Sequence, residues 1–136
     1  MRRFAYKKLV RDNILEVLKN DGATATFRIL SREEFVLELK KKLIEEVHEV
    51  SEVQDRAELL AELADVLEVI EGLVKISEFS SEEIATARQK KNEKRGAFLR
   101  GIYIDHIDAP ENSYVADYCA KHPEKYPELI SETIEI

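Results

Sequence analysis

The sequence has few of the residues that cross-link a chain or interrupt its helices. It contains one cysteine, no tryptophan, four glycines and three prolines among 136 residues. Cys119 has no partner for an internal disulfide and no companion ligands for a zinc site, which is typical of a reducing compartment, and it is given no catalytic role. Because long flexible linkers are excluded, we expect one domain over residues 1–136, with 105–136 as a C-terminal extension.

Long hydrophobic runs and an excess of positive charge are also missing. No run approaches the roughly 18 apolar residues of a membrane span, and Lys7 and Lys8 follow the start too closely for a signal peptide. We therefore expect a cytoplasmic protein with no membrane partner. The net charge is −7, whereas duplex binding depends on cationic contacts with phosphate, so a nucleic acid duplex is not an expected partner. A free nucleotide is compatible with this charge if a metal ion supplies the positive charge.

The sequence instead combines charge with helical periodicity. Charged residues make up 36% of the chain and hydrophobic residues 44%, as in exposed amphipathic helices. Capping signatures of the form Ser/Asp-x-x-Glu begin at Ser31, Asp55 and Ser80, and apolar spacing marks the helices that follow. The predicted helices cover residues 7–20, 31 to about 53, 55 to about 77 and 80 to about 96, with a short one around 113–121.

These elements predict an all-α fold, a helical bundle of about four main helices. Helices two and three should form a central antiparallel hairpin, because very few residues separate them. Residues 27–30 and 97–104 are apolar and partly β-branched, so one short β pairing between them is an additional expectation. Residues 105–136 are polar and contain all three prolines, which indicates a peripheral tail.

Two acids interrupt the apolar stripes of the hairpin helices. Glu46 stands where the next apolar residue of helix two belongs, and Glu62 does the same in helix three. Glu49 and Asp65 follow three residues later on the same helix faces. Glu46 precedes the turn by as many residues as Asp65 follows it, and Glu49 and Glu62 are related in the same way, so two facing carboxylate pairs are expected. The stripes themselves consist of Val36, Leu39, Leu43, Val50 and Val53 in helix two, and Leu59, Val66, Val69, Leu73 and Ile76 in helix three.

Four carboxylates this close repel one another unless a cation lies between them. Magnesium prefers oxygen ligands and completes its coordination with waters and substrate phosphates. We therefore predict a Mg²⁺ site at Glu46, Glu49, Glu62 and Asp65. Glu45 lies about 100° round the helix from Glu46 and is expected behind these ligands or facing solvent. The alternative is that the acids form ordinary salt bridges with lysines of neighbouring helices, namely Lys40, Lys41, Lys42, Lys90 or Lys91.

A di-iron site is a second alternative. Glu45-x-x-His48 has the Glu-x-x-His spacing of di-iron carboxylate bundles, which require two such motifs. Asp65 stands where the second histidine belongs, and His106 and His122 lie in the tail. His48 is therefore interpreted as a surface or packing residue.

The motif Glu45-Glu46-x-x-Glu49, followed after twelve residues by Glu62-x-x-Asp65, resembles the signature of the MazG-like nucleotide pyrophosphohydrolases. Two flanking segments, residues 6–14 and 91–98, are similar to the phosphoribosyl-ATP pyrophosphohydrolase-like subgroup. The resemblance covers about residues 6–100 of the chain.

This resemblance implies an all-α homodimer or homotetramer that hydrolyses a nucleoside triphosphate to monophosphate and pyrophosphate, including the clearance of non-standard nucleotides. Magnesium would polarise the phosphoryl oxygens and activate a water molecule. The implied catalytic residues are Glu45, Glu46, Glu49, Glu62 and Asp65; all of these except Glu45 are implied metal ligands, and Lys8, Arg11, Lys91 and Arg95 are implied substrate contacts. The competing hypotheses are a nucleotide-binding or regulatory helical oligomer without turnover, and a helical assembly protein whose third helix only dimerises.

Overall fold

The computed structural model describes residues 1–130, and over that range the regular secondary structure is entirely α-helical. The expected all-α class is therefore confirmed. By its contacts the chain divides into two compact units, Met1–Gly96 and Ala97–Ile136. The helices are α1 (Ile14–Asn20), α2 (Arg32–Glu52), α3 (Arg56–Ile76), α4 (Ser81–Arg95) and α5 (Tyr114–Ala120).

The first unit is built around a hairpin of α2 and α3, which form the extensive helix contact among residues 1–130. Ser31 caps α2 by accepting a hydrogen bond from the Glu34 N–H. The Asp55 side chain caps α3 by accepting from the N–H groups of Ala57 and Glu58. A connection this short makes the two helices antiparallel neighbours, which confirms the predicted central hairpin.

The hairpin buries little apolar surface in its interior. Leu39 is the one buried hydrophobic residue in the described part of the chain, with 5% of its surface exposed. A β-carbon added at Gly72 would lie 3.2 Å from the Leu39 side chain, so the missing side chain at Gly72 lets α3 approach α2 there. The other predicted stripe residues are half-buried, except Leu59, which is exposed.

The first helix is shorter than predicted. It begins at Ile14 rather than at residue 7. Lys7 has φ of 45°, a left-handed conformation that does not continue a right-handed helix. The Ile14 N–H donates to the Arg11 carbonyl in a turn, while Leu9 and Val10 are half-buried in non-helical backbone. Apolar spacing alone therefore predicted a helix over residues 7–13, where the two half-buried side chains belong to non-helical backbone.

The expected β pairing is wrong. Neither residues 27–30 nor residues 97–104 form a strand. Ile29 is 88% exposed and Leu99 is 91% exposed, so these side chains have no packed surface of the kind that stabilises strands.

The fourth and fifth helices begin at the predicted caps. Ser80 and Glu83 form a complete capping box at the start of α4, and Ser113 caps α5 by accepting from the Ala116 N–H. All of α4 is exposed except Ile84, which is half-buried. None of the helices in residues 1–130 has the length and hydrophobicity needed to cross a membrane.

Candidate metal centre

Three of the predicted acids converge at the interface between α2 and α3. One carboxylate oxygen each from Glu46, Glu62 and Asp65 lies within 4.8 Å of the other two. Oxygen ligands of an octahedral magnesium ion are about 3 to 4 Å apart, given metal–oxygen distances of about 2.1 Å. Small side-chain rotations would therefore bring these three residues, which we call the acid cluster, to the spacing of metal ligands.

The positions of these acids follow from the hairpin. Glu46 replaces an apolar residue of α2 and is buried, with 9% of its surface exposed. Glu62 replaces an apolar residue of α3, and Asp65 follows within one helical turn; both are half-buried. Because α2 and α3 are antiparallel, these seam positions meet at the same height. The sequence prediction that Glu46 and Glu62 interrupt packed stripes therefore agrees with the positions of both residues.

Glu49 is placed differently from the other three predicted ligands. It is exposed and does not belong to the acid cluster. The symmetry about the turn fixes how far along the hairpin a residue lies, but it does not fix whether its carboxylate reaches the other acids across the interface. Glu49 lies near enough for its charge to raise the pKa of Glu62, but it is exposed and its carboxylate lies outside the cluster.

The acid cluster concentrates negative charge. The pKa of Glu62 is raised above that of an ordinary glutamate, first by loss of hydration and then by the charges of Asp65, Glu46 and Glu49, with a further contribution from a hydrogen bond with Glu46. Each of these causes makes the ionised Glu62 carboxylate less favourable. A cation at the cluster would relieve the repulsion.

Lysine and arginine side chains of the chain itself partly neutralise these acids. The Arg11 guanidinium donates a hydrogen bond to Asp65 Oδ1. Lys42 Nζ lies 3.3 Å from a Glu45 oxygen and 3.5 Å from a Glu46 oxygen. Glu45 is also 3.7 Å from Lys8 Nζ, so its carboxylate lies between two lysines, consistent with its expected place behind the metal ligands.

Lys42 is the residue whose importance the sequence analysis underestimated. The sequence predicted Lys42 only as one of several lysines that could form salt bridges with the acids. The structure shows such salt bridges between Lys42 and both Glu45 and Glu46. Its side chain is 19% exposed, much less than is usual for a lysine. The spacing of Lys42 and Glu46, one helical turn apart, was the available signal.

The remaining predicted residues are not brought to the acid cluster. Lys91 and Arg95 are exposed on α4 and form no ion pair with the acids within residues 1–130. His48 is exposed, and no histidine of the described residues joins the cluster. The geometry therefore gives no support to the di-iron alternative.

The donor set suits a hard cation. All three donors are carboxylate oxygens, and magnesium and calcium prefer oxygen ligands, whereas zinc and iron sites usually include histidine or cysteine. Three carboxylates carry more charge than Arg11 and Lys42 together neutralise, so the residues present fit a divalent ion such as magnesium.

The acid cluster and the lysine and arginine side chains beside it therefore form the candidate functional site of this chain. No protein-family model, curated protein or solved structure with which the chain was compared matches it.

Proposed function

We propose that this protein is a magnesium-dependent nucleoside triphosphate pyrophosphohydrolase, which converts a nucleoside triphosphate and water to the monophosphate and pyrophosphate. The observation that carries the proposal is the meeting of Glu46, Glu62 and Asp65 within 4.8 Å at the helix interface. The resemblance of their motif to that of the MazG-like pyrophosphohydrolases supports the same reaction, with house-cleaning of non-standard nucleotides as one use of it.

In this proposal Glu46, Glu62 and Asp65 hold the magnesium ion. When bound, magnesium would polarise the phosphoryl oxygens and lower the pKa of a coordinated water. Glu46 is buried between α2 and α3, with Lys42 beside it, so its carboxylate lies beside the proposed metal site before the ion binds. Hydrolysis requires no covalent intermediate, because charge and position provide most of the catalysis of phosphoryl transfer.

Glu49 and Glu45 have different proposed roles. Glu49 is exposed near the acid cluster and forms no ion pair within residues 1–130. It is available either to complete the metal coordination or to accept the proton of the attacking water. Glu45 is already paired with Lys8 and Lys42, and its proposed role is to position these lysines.

Arg11 and Lys8 are the proposed contacts to the triphosphate. Both pair with acids at or beside the proposed metal site, so their positive charges are close to where a metal-bound triphosphate would lie in this proposal. Such cations stabilise the negative charge that develops on the leaving pyrophosphate in the transition state. Lys91 and Arg95 are proposed as further contacts to the triphosphate, and this part of the proposal rests on the family resemblance alone.

Self-association is a further part of the proposal, as a homodimer or a homotetramer. Four apolar residues of α3 repeat at alternating intervals of three and four, the spacing of a coiled-coil seam, and all four are exposed: Leu60, Leu63, Leu67 and Ile70. Because Leu39 is the one buried hydrophobic residue among residues 1–130, a second copy covering this stripe would add much of the apolar burial that a stable fold requires.

The enzymatic proposal is tested by pyrophosphate release from a panel of canonical and modified nucleotides, with magnesium and with a chelator. We expect release with magnesium only, and a loss of more than about tenfold in Glu62→Gln, since residues that merely orient ligands already contribute that much. Glu68→Gln, which removes one charge from the exposed surface of α3, is the matched control and should keep full activity.

Two results would decide against this reaction. Release that persists in chelator would show that the acid cluster does not act through a metal. Nucleotide binding without release from any member of the panel would favour the regulatory alternative, a nucleotide-binding oligomer without turnover.

A further inference from the structure

Residues 1–13 pair with the site through two cations. Arg11 donates to Asp65 Oδ1, and Lys8 Nζ lies 3.7 Å from Glu45. The segment contains no helix and is exposed except for half-buried Leu9 and Val10. Its position therefore depends on the turn between Arg11 and Ile14, on two apolar side chains and on ion pairs with acids of the candidate metal centre.

The Arg11 pair uses a carboxylate that the metal also requires. Asp65 is both the partner of Arg11 and a member of the acid cluster. The side chains of Arg11 and Asp65 are 58% and 37% exposed, and ion pairs this accessible to water stabilise a protein only weakly. A divalent ion on Asp65 would repel the guanidinium at short range. Because the ion pair between Arg11 and Asp65 is weak, we expect this repulsion to displace Arg11.

We propose that Arg11 changes partners during binding: it pairs with Asp65 in the metal-free protein and is displaced when a divalent cation binds there, and its guanidinium then binds the triphosphate of the incoming nucleotide. This inference rests on the proposed function. A guanidinium is suited to the exchange, because its planar set of N–H donors matches phosphate as well as carboxylate.

Lys42 is the contrasting case. It belongs to α2 itself, one helical turn before Glu46, and its side chain is largely buried. Arg11, in comparison, lies outside the helices, and its backbone is tied to α1 by one turn in which the Ile14 N–H donates to its carbonyl. The exposed Arg11 side chain can therefore change partners more easily than Lys42, which remains beside Glu46.

A different role for Arg11 gives the opposite prediction for metal affinity. If Arg11 stayed on Asp65 and oriented it as a ligand, removing Arg11 would weaken metal binding, as loss of residues that orient ligands usually does. If Arg11 competes with the metal, removing it strengthens metal binding. The sign of the change separates the two roles.

The test is calorimetric titration of the full chain with magnesium chloride alone, at constant ionic strength. We expect Arg11→Gln to bind magnesium about two- to fivefold more tightly than wild type, the range that corresponds to an exposed ion pair. Arg28→Gln is the matched control. It removes the same charge from another exposed pair, in which Arg28 lies 2.8 Å from Glu34, and should leave the affinity unchanged. An Arg11→Gln affinity that is unchanged or weaker overturns the exchange.

A second titration measures the other half of the exchange. With magnesium present, Arg11→Gln should bind a non-hydrolysable nucleoside triphosphate analogue more weakly than wild type, and Arg11→Lys should recover part of the loss. Weakening of both metal and nucleotide binding would assign Arg11 to positioning Asp65 and overturn the proposal.

The wild-type titration and Glu62→Gln distinguish failure of this inference from failure of the proposed function. If wild type binds no magnesium, both are overturned. If magnesium binds wild type and is lost in Glu62→Gln while Arg11→Gln behaves like wild type, the metal centre stands and the exchange alone is wrong.

Discussion

Glu46 of α2 and Glu62 of α3 hold two carboxylates together across a helix interface, with oxygens within 4.8 Å of each other. Both occupy positions that the surrounding stripes would fill with apolar residues, and the arrangement raises the pKa of Glu62. Replacing charges in a packed interface by apolar side chains often leaves a protein equally stable or more stable. The raised pKa of Glu62 shows that its charge is unfavourable in this arrangement, and a cation bound at the cluster would remove that cost.

The first prediction concerns the pH dependence that Glu62 gives to stability. The folded pKa of Glu62 is raised, so the folded chain holds that proton more tightly than the unfolded chain. The resulting stabilisation is fully present below the unfolded pKa and is lost as pH rises through the folded pKa. In chelator at neutral pH, we expect Glu62→Gln to increase the free energy of unfolding, with a difference that disappears under acidic conditions.

Urea unfolding from acidic to neutral pH measures this difference. Glu68→Gln is again the control on the same helix and should show no comparable gain. A Glu62→Gln protein that is less stable than wild type at neutral pH in chelator would mean that Glu62 stabilises the hairpin. With saturating magnesium the order should reverse, because a ligand that binds only the folded state adds to its stability.

The second prediction separates Glu46 from Glu49. Glu46 is buried within the acid cluster, whereas Glu49 is exposed outside it. We expect Glu46→Gln to weaken magnesium binding by more than about tenfold and Glu49→Gln to weaken it less. Both variants remove one charge from α2, so each controls for the other. Equal losses would place Glu49 among the metal ligands once the ion is bound.

The fold and the centre of the site were largely predictable, for identifiable reasons. Ser31, Asp55 and Ser80 act as helix caps through local hydrogen bonds, and local interactions can be inferred from sequence. Glu46 and Glu62 were recognisable because each breaks a periodic pattern. These signals depend only on residues within a few turns of one another.

Other features depended on geometry that spacing does not contain. Glu49 and Asp65 have the same spacing from the seam acids of their helices, yet only Asp65 joins the acid cluster. Residues 7–13 carry apolar side chains at helical intervals, yet Lys7 has a left-handed backbone conformation. The pairing of Arg11 with Asp65 joins residues far apart in the chain, and no local pattern specifies such a contact.

The third prediction tests how much the buried side chain of Leu39 contributes to the stability of the hairpin. Leu39 is 5% exposed and lies against Gly72, so Leu39→Ala removes buried apolar surface and leaves a cavity. We expect a loss of about 2 to 5 kcal/mol in the free energy of unfolding, measured with urea. Leu37→Ala, on the same helix but 58% exposed, should cost no more than about 0.5 kcal/mol in the monomer. Similar costs for the two variants would contradict the assignment of Leu39 to the core.

The fourth prediction concerns the exposed stripe of α3. Leu67, at its centre, is 66% exposed, although its spacing from Leu63 and Ile70 is that of a helix seam. If a second copy covers the stripe, Leu67→Glu places a charge in an apolar interface and leaves it without a partner, which strongly opposes association. The wild-type protein should therefore sediment as a dimer or tetramer of the 15.7 kDa chain, and Leu67→Glu should sediment as a monomer with unchanged helical content by circular dichroism.

The control is Ile29→Glu, which adds the same charge at an exposed apolar residue outside the helices and should leave the assembly intact. A wild-type monomer at all concentrations, or a Leu67→Glu protein of wild-type mass, would show that this stripe does not join copies of the chain.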